Sequence, residues 1–130
     1  MPNDTMSSAA SLVGRLLLVA IFIWAGVGKI TGYEGTVGYM QKFGVPGTLL
    51  PVVIALELGG GLLIAFGWQT RLVAFLLAGF TVVSAVIFHN SFDDRNQMIH
   101  FMKNLAITGG FLMLVANGPG GWSLDGRSRS

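Results

Sequence analysis

Four long apolar stretches dominate this chain and leave little room for any other kind of structure. They run over residues 10–29, 48–68, 72–89 and 100–117. Each is about 18–21 residues long, the length that an α-helix needs to cross a hydrocarbon core of about 30 Å. Backbone polar groups in lipid must be satisfied within the protein, so such stretches cross membranes as helices. The sequence therefore predicts an all-α fold, a bundle of four transmembrane helices.

The composition agrees with a membrane protein and excludes several other classes. Charged residues make up 11% of the 130 residues, against about 25% in soluble domains. The chain has no cysteine, which excludes disulfides, thiolate metal sites and thiol redox chemistry. Its 8 Lys and Arg residues are spread singly, without the basic run typical of nucleic-acid binding. The lipid bilayer is the expected partner, and nucleic acid is not.

The segments outside the four stretches predict one short helix and two tails. Residues 33–43 interleave aromatic and polar side chains, which is typical of a short interfacial helix. Gly44 is its expected C-cap and Pro46 its stop. We expect a polar tail over residues 1–9, a membrane domain over 10–118 and a mobile tail over 119–130. The first stretch lacks a preceding basic segment and is expected to be retained rather than cleaved as a signal peptide.

An even number of spans places both chain termini on the same side of the membrane. Each side of the bundle receives four of the Lys and Arg residues, but Lys29 and Lys103 lie within or at the ends of spans. Asp and Glu count little in the positive-inside rule. The sequence therefore favours cytoplasmic termini.

Charged side chains within a span are costly and mark candidate functional residues. Glu57 is the deepest, about 13 Å from the start of its stretch at about 1.5 Å per residue. Arg15 and Lys29 lie on nearly the same face of the first stretch, and Lys103 lies in the first turn of the fourth. Glu57 either pairs with Arg15 or Lys103 and locks the bundle, or it serves as a proton acceptor or ligand anchor.

Glycines beside Glu57 reduce the side-chain bulk around the carboxylate. They either let a neighbouring helix approach closely or leave a small cavity for a ligand. Two further adjacent glycines lie in the fourth stretch. The candidate helix-packing glycines are Gly59, Gly60, Gly61, Gly109 and Gly110.

Several polar residues fall at the ends of the third and fourth stretches. His89 and His100 lie on the same face of the membrane, near Lys29, Lys103 and Asn104. Their spacing matches no metal-ligand motif, so no metal site is expected. The candidate ligand-binding or intramembrane polar network is Glu57, Arg15, His89, Lys103, Asn104, Lys29 and Trp24. Its excess of cations suits a quinone head or an anionic lipid, and it equally suits a self-satisfied ion network.

The order of these segments resembles the DoxX family of small bacterial membrane proteins. The resemblance covers residues 10–118 and rests on GRLLLVAIFIWAGVGKI, KFGVP, ALELGGGLLIAFGWQTR, VIFH and KNLAITGGFLML. The positions that match the family's recurrent polar motif are Arg15, Lys29, Glu57, Arg71, His89 and Asn104. The resemblance implies a four-span inner-membrane protein, and some members are similar to a subunit of an archaeal thiosulfate:quinone oxidoreductase.

These observations favour a small accessory protein or subunit of a membrane redox, quinone-linked or oxidative-stress system. A quinone or lipid pocket near Glu57 is expected, with no other cofactor, and redox-complex subunits or further copies of the chain are candidate partners. The sequence contains no self-contained catalytic motif. Two alternatives stay open: a solute or proton transporter with Thr81, Ser84 and Thr108 along its path, and a purely structural assembly protein.

Overall fold

The structure, a computed structural model, describes residues 4–88 and 93–128, and every regular element in that part of the chain is a helix. The helices are α1 (Asp4–Thr31), α2 (Tyr33–Lys42), α3 (Gly47–Phe66), α4 (Thr70–Phe88), α5 (Arg95–Asn117) and α6 (Leu124–Ser128). By length and composition, α1, α3, α4 and α5 could each cross a membrane. The predicted four-helix membrane fold with a short helix after the first span is confirmed.

Two spanning helices begin five or six residues earlier than the apolar pattern indicates. Helix α1 starts at Asp4, so part of the expected N-terminal tail is helical. No proline or glycine interrupts residues 4–13, so the polar start extends the helix without a break. Helix α5 starts at Arg95, where the Asp94 carboxylate accepts a hydrogen bond of 2.8 Å from the Asn96 amide. This side-chain cap satisfies one of the free amides of the first turn.

The short helix α2 ends one residue earlier than expected. Phe43 rather than Gly44 is its C-cap. Gly44 follows in the left-handed conformation with φ of 76°, and the Val45 amide donates to the Met40 carbonyl over 3.0 Å. Pro46 then continues in an extended conformation that leads into α3.

Helix α3 changes its winding along its length. It opens with a 3₁₀ turn over Gly47–Leu49, continues as α-helix over Leu50–Ile54, and widens into a π-helical turn over Ala55–Gly59. Regular α-helix then resumes over Gly60–Phe66. Single π turns within α-helices occur frequently at functional sites, and this one contains Glu57.

The core lies between the inner faces of the spanning helices. Helix α1 packs along α3, α3 packs on α4, and the most extensive interface joins α4 and α5. At the centre, the rings of Phe22 and Phe111 meet edge to face with centroids 5.3 Å apart. The buried residues around them are Val19, Ile64, Val73, Ala74, Leu77 and Ala78. Phe22 belongs both to this core and to the wall of a cavity described below.

The two ends of the described chain meet at one end of the bundle. Gly120 lies against Ser11 and Gly121 against Ser8, so the C-terminal segment packs on the first turns of α1. The Asp125 carboxylate accepts hydrogen bonds from the Gln69 and Thr70 amides, at 3.0 and 2.9 Å. Residues 120–125, which belong to the predicted tail, thus pack against neighbouring helices and satisfy free backbone groups at a helix end.

Candidate functional site

A cavity of about 430 Å³ lies between the four spanning helices and α2. We call it the Glu57 cavity. Its walls are mainly apolar, with Phe22 from α1, Val53 from α3 and Phe80 from α4. The polar side chains that line it are Lys29, Thr36, Tyr39, Glu57, Thr81, Ser84, Lys103 and Asn104. Tyr39 and Lys103 are exposed, so the cavity reaches the surface at their end of the bundle.

An ion pair forms part of the cavity wall. Lys29 Nζ lies 2.6 Å from Glu57 Oε1, and the two side chains are 28% and 7% exposed. Lys29 belongs to the last turn of α1, and the π turn of α3 carries Glu57. A buried carboxylate without a cation is costly, so Lys29 compensates its charge. The pair supplies the cavity with both a donor and an acceptor.

The expected pairing of Arg15 with Glu57 is wrong. Helices α1 and α3 run antiparallel with Gly26 against Leu58 and Ile23 against Gly61. Arg15 precedes Gly26 by eleven residues, a rise of about 16 Å at about 1.5 Å per residue. This distance exceeds the reach of the two side chains, whereas Lys29 lies three residues beyond Gly26 and is close to Glu57.

Arg15 instead joins the helix ends at the opposite end of the bundle. Its Nη1 donates to the carbonyls of Ile64 and Ala65 over 2.8 and 2.9 Å, and its Nη2 donates to the Trp122 carbonyl over 2.6 Å. Only 1% of Arg15 is exposed. The guanidinium thus satisfies carbonyls at the end of α3 and holds the C-terminal segment, a structural role for which its several donors are suited.

Helix α5 contributes Lys103 and Asn104 to the cavity. Lys103 Nζ lies 3.3 Å from His100 Nδ1, where only the imidazole nitrogen can accept. Asn104 Nδ2 donates to the Thr81 carbonyl over 3.3 Å, and the Thr81 hydroxyl donates to the Leu77 carbonyl over 2.6 Å. These bonds fix the polar side of the cavity between α4 and α5.

The structure brings together four of the predicted site residues and separates two others from them. Glu57, Lys29, Lys103 and Asn104 line the Glu57 cavity. Arg15 lies at the far end, and Trp24 is 78% exposed on the outer surface rather than beside the cavity. His89 lies outside the described residues.

The glycines also divide into two groups. A side chain at Gly60 would meet Leu77 and Val73, one at Gly61 would meet Ile23, and one at Gly110 would meet Leu18. These three positions therefore permit close helix packing. Gly59 and Gly109 have open space beside them. The cavity consequently does not occupy the space beside Gly60 and Gly61, which neighbouring helices fill.

Helix α2 forms a wall of the site that the sequence did not predict. Tyr39 stacks on Phe88 of α4 with ring centroids 5.5 Å apart, and Phe43 contacts both rings at 5.0 Å. Met40 of the same helix is buried and lines the cavity. The alternation of aromatic and polar residues over 33–43 predicted a helix at the membrane interface. It did not predict that this helix would line a cavity.

The donors and acceptors of the cavity suit binding of an amphipathic molecule. Two ammonium groups can donate to carbonyl or anionic oxygens, and aromatic and aliphatic walls can enclose a ring or chain. Within residues 4–88 and 93–128, no three His, Asp or Glu side chains come together as a metal site.

Comparisons with known proteins agree with this architecture. The chain is 54% identical over 114 residues to inner membrane protein YqjF of Escherichia coli strain K12, covering 88% of each chain. It is 41% identical over 123 residues to inner membrane protein YphA of the same strain, covering 89% of this chain and 88% of that protein. A Bacillus subtilis strain 168 protein named "Putative oxidoreductase CatD" is 38% identical over 77 residues, 59% of this chain and 57% of that one. No solved structure matches the chain.

A comparison with protein families confirms the resemblance to the DoxX family. The DoxX family profile matches residues 10–90, which is more than half of the chain. That match includes Arg15, Lys29 and Glu57, and it covers the first three spans. The chain is therefore an integral inner-membrane protein of the DoxX family.

Proposed function

We propose that this protein holds a quinone-like or lipid molecule in the Glu57 cavity as an accessory protein or subunit of a membrane redox or oxidative-stress system. The observation that carries the proposal is the cavity itself, enclosed by all four spans with an ion pair in its wall. Its volume of about 430 Å³ falls within the range of about 300–1,000 Å³ for small-molecule sites. The oxidoreductase name of the Bacillus subtilis relative supports the redox setting.

The residues of the cavity fit a quinone head. Its carbonyl oxygens accept hydrogen bonds, and Lys29 and Lys103 offer ammonium donors on different helices. Apolar side chains such as Phe22 and Phe80 surround the remaining space, where a ring or tail would lie. In this proposal the chain binds and positions the molecule, and the bound quinone supplies the redox chemistry.

Native mass spectrometry of the protein released from nanodiscs tests the proposal. The wild-type protein should carry a bound quinone or lipid of defined mass. Glu57→Gln removes the carboxylate that positions the Lys29 ammonium, and we expect occupancy by a neutral quinone to fall about fivefold, the factor for a hydrogen bond of ~1 kcal/mol. Glu34→Gln is the matched control, because Glu34 is exposed on α2 and does not line the cavity. A wild-type spectrum without a defined adduct, or unchanged occupancy in Glu57→Gln, contradicts the proposal.

The short Lys29–Glu57 pair also favours a second candidate, a purely structural protein whose charges stabilise the bundle. The double exchange Lys29→Glu with Glu57→Lys distinguishes the two. If the pair is only structural, the double exchange recovers the thermal stability that each single variant loses. It also complements a strain in which the gene is deleted. If the cavity binds a ligand, stability recovers but ligand occupancy does not, because the donor and the acceptor have changed places.

We further propose that both termini face the cytoplasm. Lys29 is paired within the cavity and Arg15 is buried in hydrogen bonds, so neither is available as a topogenic charge. Lys103 lies inside the fourth span and lines the cavity, so it is not counted as a loop charge either. The termini side then retains Arg71, Arg127 and Arg129, and the other side retains Lys42 and Arg95. The positive-inside rule favours the first side as cytoplasmic. Alkaline phosphatase fused after the C-terminus should be inactive, and an active fusion contradicts this orientation.

A further inference from the structure

We infer that the Glu57 cavity prefers a ligand whose polar head carries a single negative charge, and that Lys103 determines this preference. The inference rests on the proposed function, since it requires that the cavity binds an amphipathic molecule. It adds the charge of that molecule and the residue that recognises it.

The charges around the cavity do not balance. Three charged side chains line it: Lys29, Glu57 and Lys103. Lys29 and Glu57 neutralise each other at 2.6 Å. Lys103 contacts the His100 ring, and within residues 4–88 and 93–128 it forms no ion pair. The cavity wall therefore carries an excess of one positive charge.

Lys103 has hydrogen-bonding capacity left for a ligand. An ammonium group has three donors, and the contact with His100 Nδ1 at 3.3 Å uses one of them. Asn104 follows Lys103 on α5 and also lines the cavity. An anionic oxygen beside Lys103 would place the apolar remainder of the ligand towards Phe22 and Phe80, which belong to the apolar part of the wall.

The energetic difference between a neutral and an anionic head follows from this imbalance. A neutral ligand would displace water from Lys103 without compensating its charge, which is unfavourable. An anionic oxygen would instead form a charge-assisted hydrogen bond, roughly twice as strong as a neutral one. Lys103 is exposed at the end of the cavity, so water screens part of this gain. We therefore expect a preference of about tenfold, which corresponds to ~1.4 kcal/mol.

A matched pair of probes measures this preference. The anionic probe is a 2-hydroxy-3-alkyl-1,4-naphthoquinone, whose hydroxyl is ionised at neutral pH, and the neutral probe is its 2-methoxy analogue. Binding of both is measured to the full chain in phosphatidylcholine nanodiscs. The ratio of the affinity for the anionic probe to that for the neutral probe is compared between variants in the same lipid. Each probe partitions into the bilayer to the same extent for every variant, so partitioning does not affect the comparison.

The variants isolate Lys103 from other lysines at the same end of the bundle. Lys103→Gln should lose the preference for the anionic probe, because its neutral amide can donate to either probe alike, whereas Lys103→Arg should keep the preference. Lys42→Gln is the matched control, because Lys42 is exposed at the end of α2 and does not line the cavity. Thermal unfolding of each variant confirms that it is folded.

The possible outcomes separate the inference from the proposed function. An anionic preference that disappears only in Lys103→Gln supports the inference. Equal binding of both probes to the wild type, or an unchanged ratio in Lys103→Gln, overturns the inference and leaves the proposed function intact. If the wild type binds neither probe, the inference and the quinone form of the proposed function both fail.

Discussion

At the scale of single residues, the structure assigns two different tasks to the buried charges of the membrane domain. Glu57 faces a cavity and has Lys29 as its counter-charge, whereas Arg15 satisfies three backbone carbonyls and does not line the cavity. A charged side chain within a span is costly and therefore marks a candidate functional or structural residue. Its function depends on whether the side chain contacts open space or the backbone of neighbouring segments.

The hydrogen bonds of Arg15 lead to a stability prediction. Arg15→Lys keeps the charge but replaces the planar guanidinium by a single ammonium group. That group cannot donate to three carbonyls with good geometry. We expect a loss of about 3 kcal/mol, since hydrogen bonds to charged groups contribute about 1.5–3 kcal/mol each. Thermal unfolding in detergent should show a clearly lower midpoint. Arg95→Lys, at an exposed position, should unfold as the wild type does, and equal midpoints for all three proteins would refute the assigned role.

The sequence supports part of this residue-scale description. Glu57, Lys29, Lys103 and Asn104 were recognisable because polar groups are rare and costly in spans. The partner of Glu57 was not predictable, since it depends on the register between α1 and α3. That register is set by contacts such as Gly26 against Leu58, which no periodicity within one helix reveals.

At the scale of elements, α3 departs from regular α-helical winding at the turn that contains its carboxylate, Glu57. Its π turn over Ala55–Gly59 carries Glu57, and α1 approaches this turn closely at Gly26. The apolar pattern of residues 48–68 predicted the helix and its length correctly. It did not predict the π turn, because a single widened turn leaves the average hydrophobic pattern of a span unchanged.

Two glycines of α1 provide a matched test of this close approach. A Cβ at Gly26 would lie 2.9 Å from Leu58 Cβ, whereas one at Gly28 would have nothing within 4 Å. Gly26→Ala should therefore cost about 1–3 kcal/mol by overpacking and weaken ligand retention through displacement of the π turn. Gly28→Ala should instead stabilise the helix by about 0.5–1 kcal/mol. Shifts of the same sign in thermal unfolding would be inconsistent with the packing of α1 on α3.

At the scale of the whole molecule, the C-terminal segment ties the ends of the spans together. Arg15 binds the Trp122 carbonyl, and Asp125 caps the first turn of α4. Gly67 lies beneath this segment with φ of 74°, and a side chain there would collide with Ser123. The sequence predicted only a tail over residues 119–130, within which Gly120 allows the chain to lie closely against Ser11 of α1.

The cap formed by Asp125 gives a prediction for the molecule as a whole. Asp125→Ala removes the acceptor of the Gln69 and Thr70 amides and should cost about 1 kcal/mol. Limited proteolysis should then cleave the C-terminal segment faster than in the wild type. Asp93→Ala, at an exposed position between α4 and α5, is the control and should leave the cleavage rate unchanged. Equal rates for both variants would contradict a docked C-terminal segment.

The four spans together enclose the Glu57 cavity, and filling that cavity tests the central claim most directly. Ala25 lines the cavity, whereas Ala20 of the same helix is exposed and does not. Ala25→Phe should occupy the space of the ligand, and Ala20→Phe adds the same bulk outside it. Native mass spectrometry from nanodiscs should show the ligand adduct on the wild type and on Ala20→Phe, and none on folded Ala25→Phe. An adduct of equal occupancy on all three proteins would contradict ligand binding in this cavity.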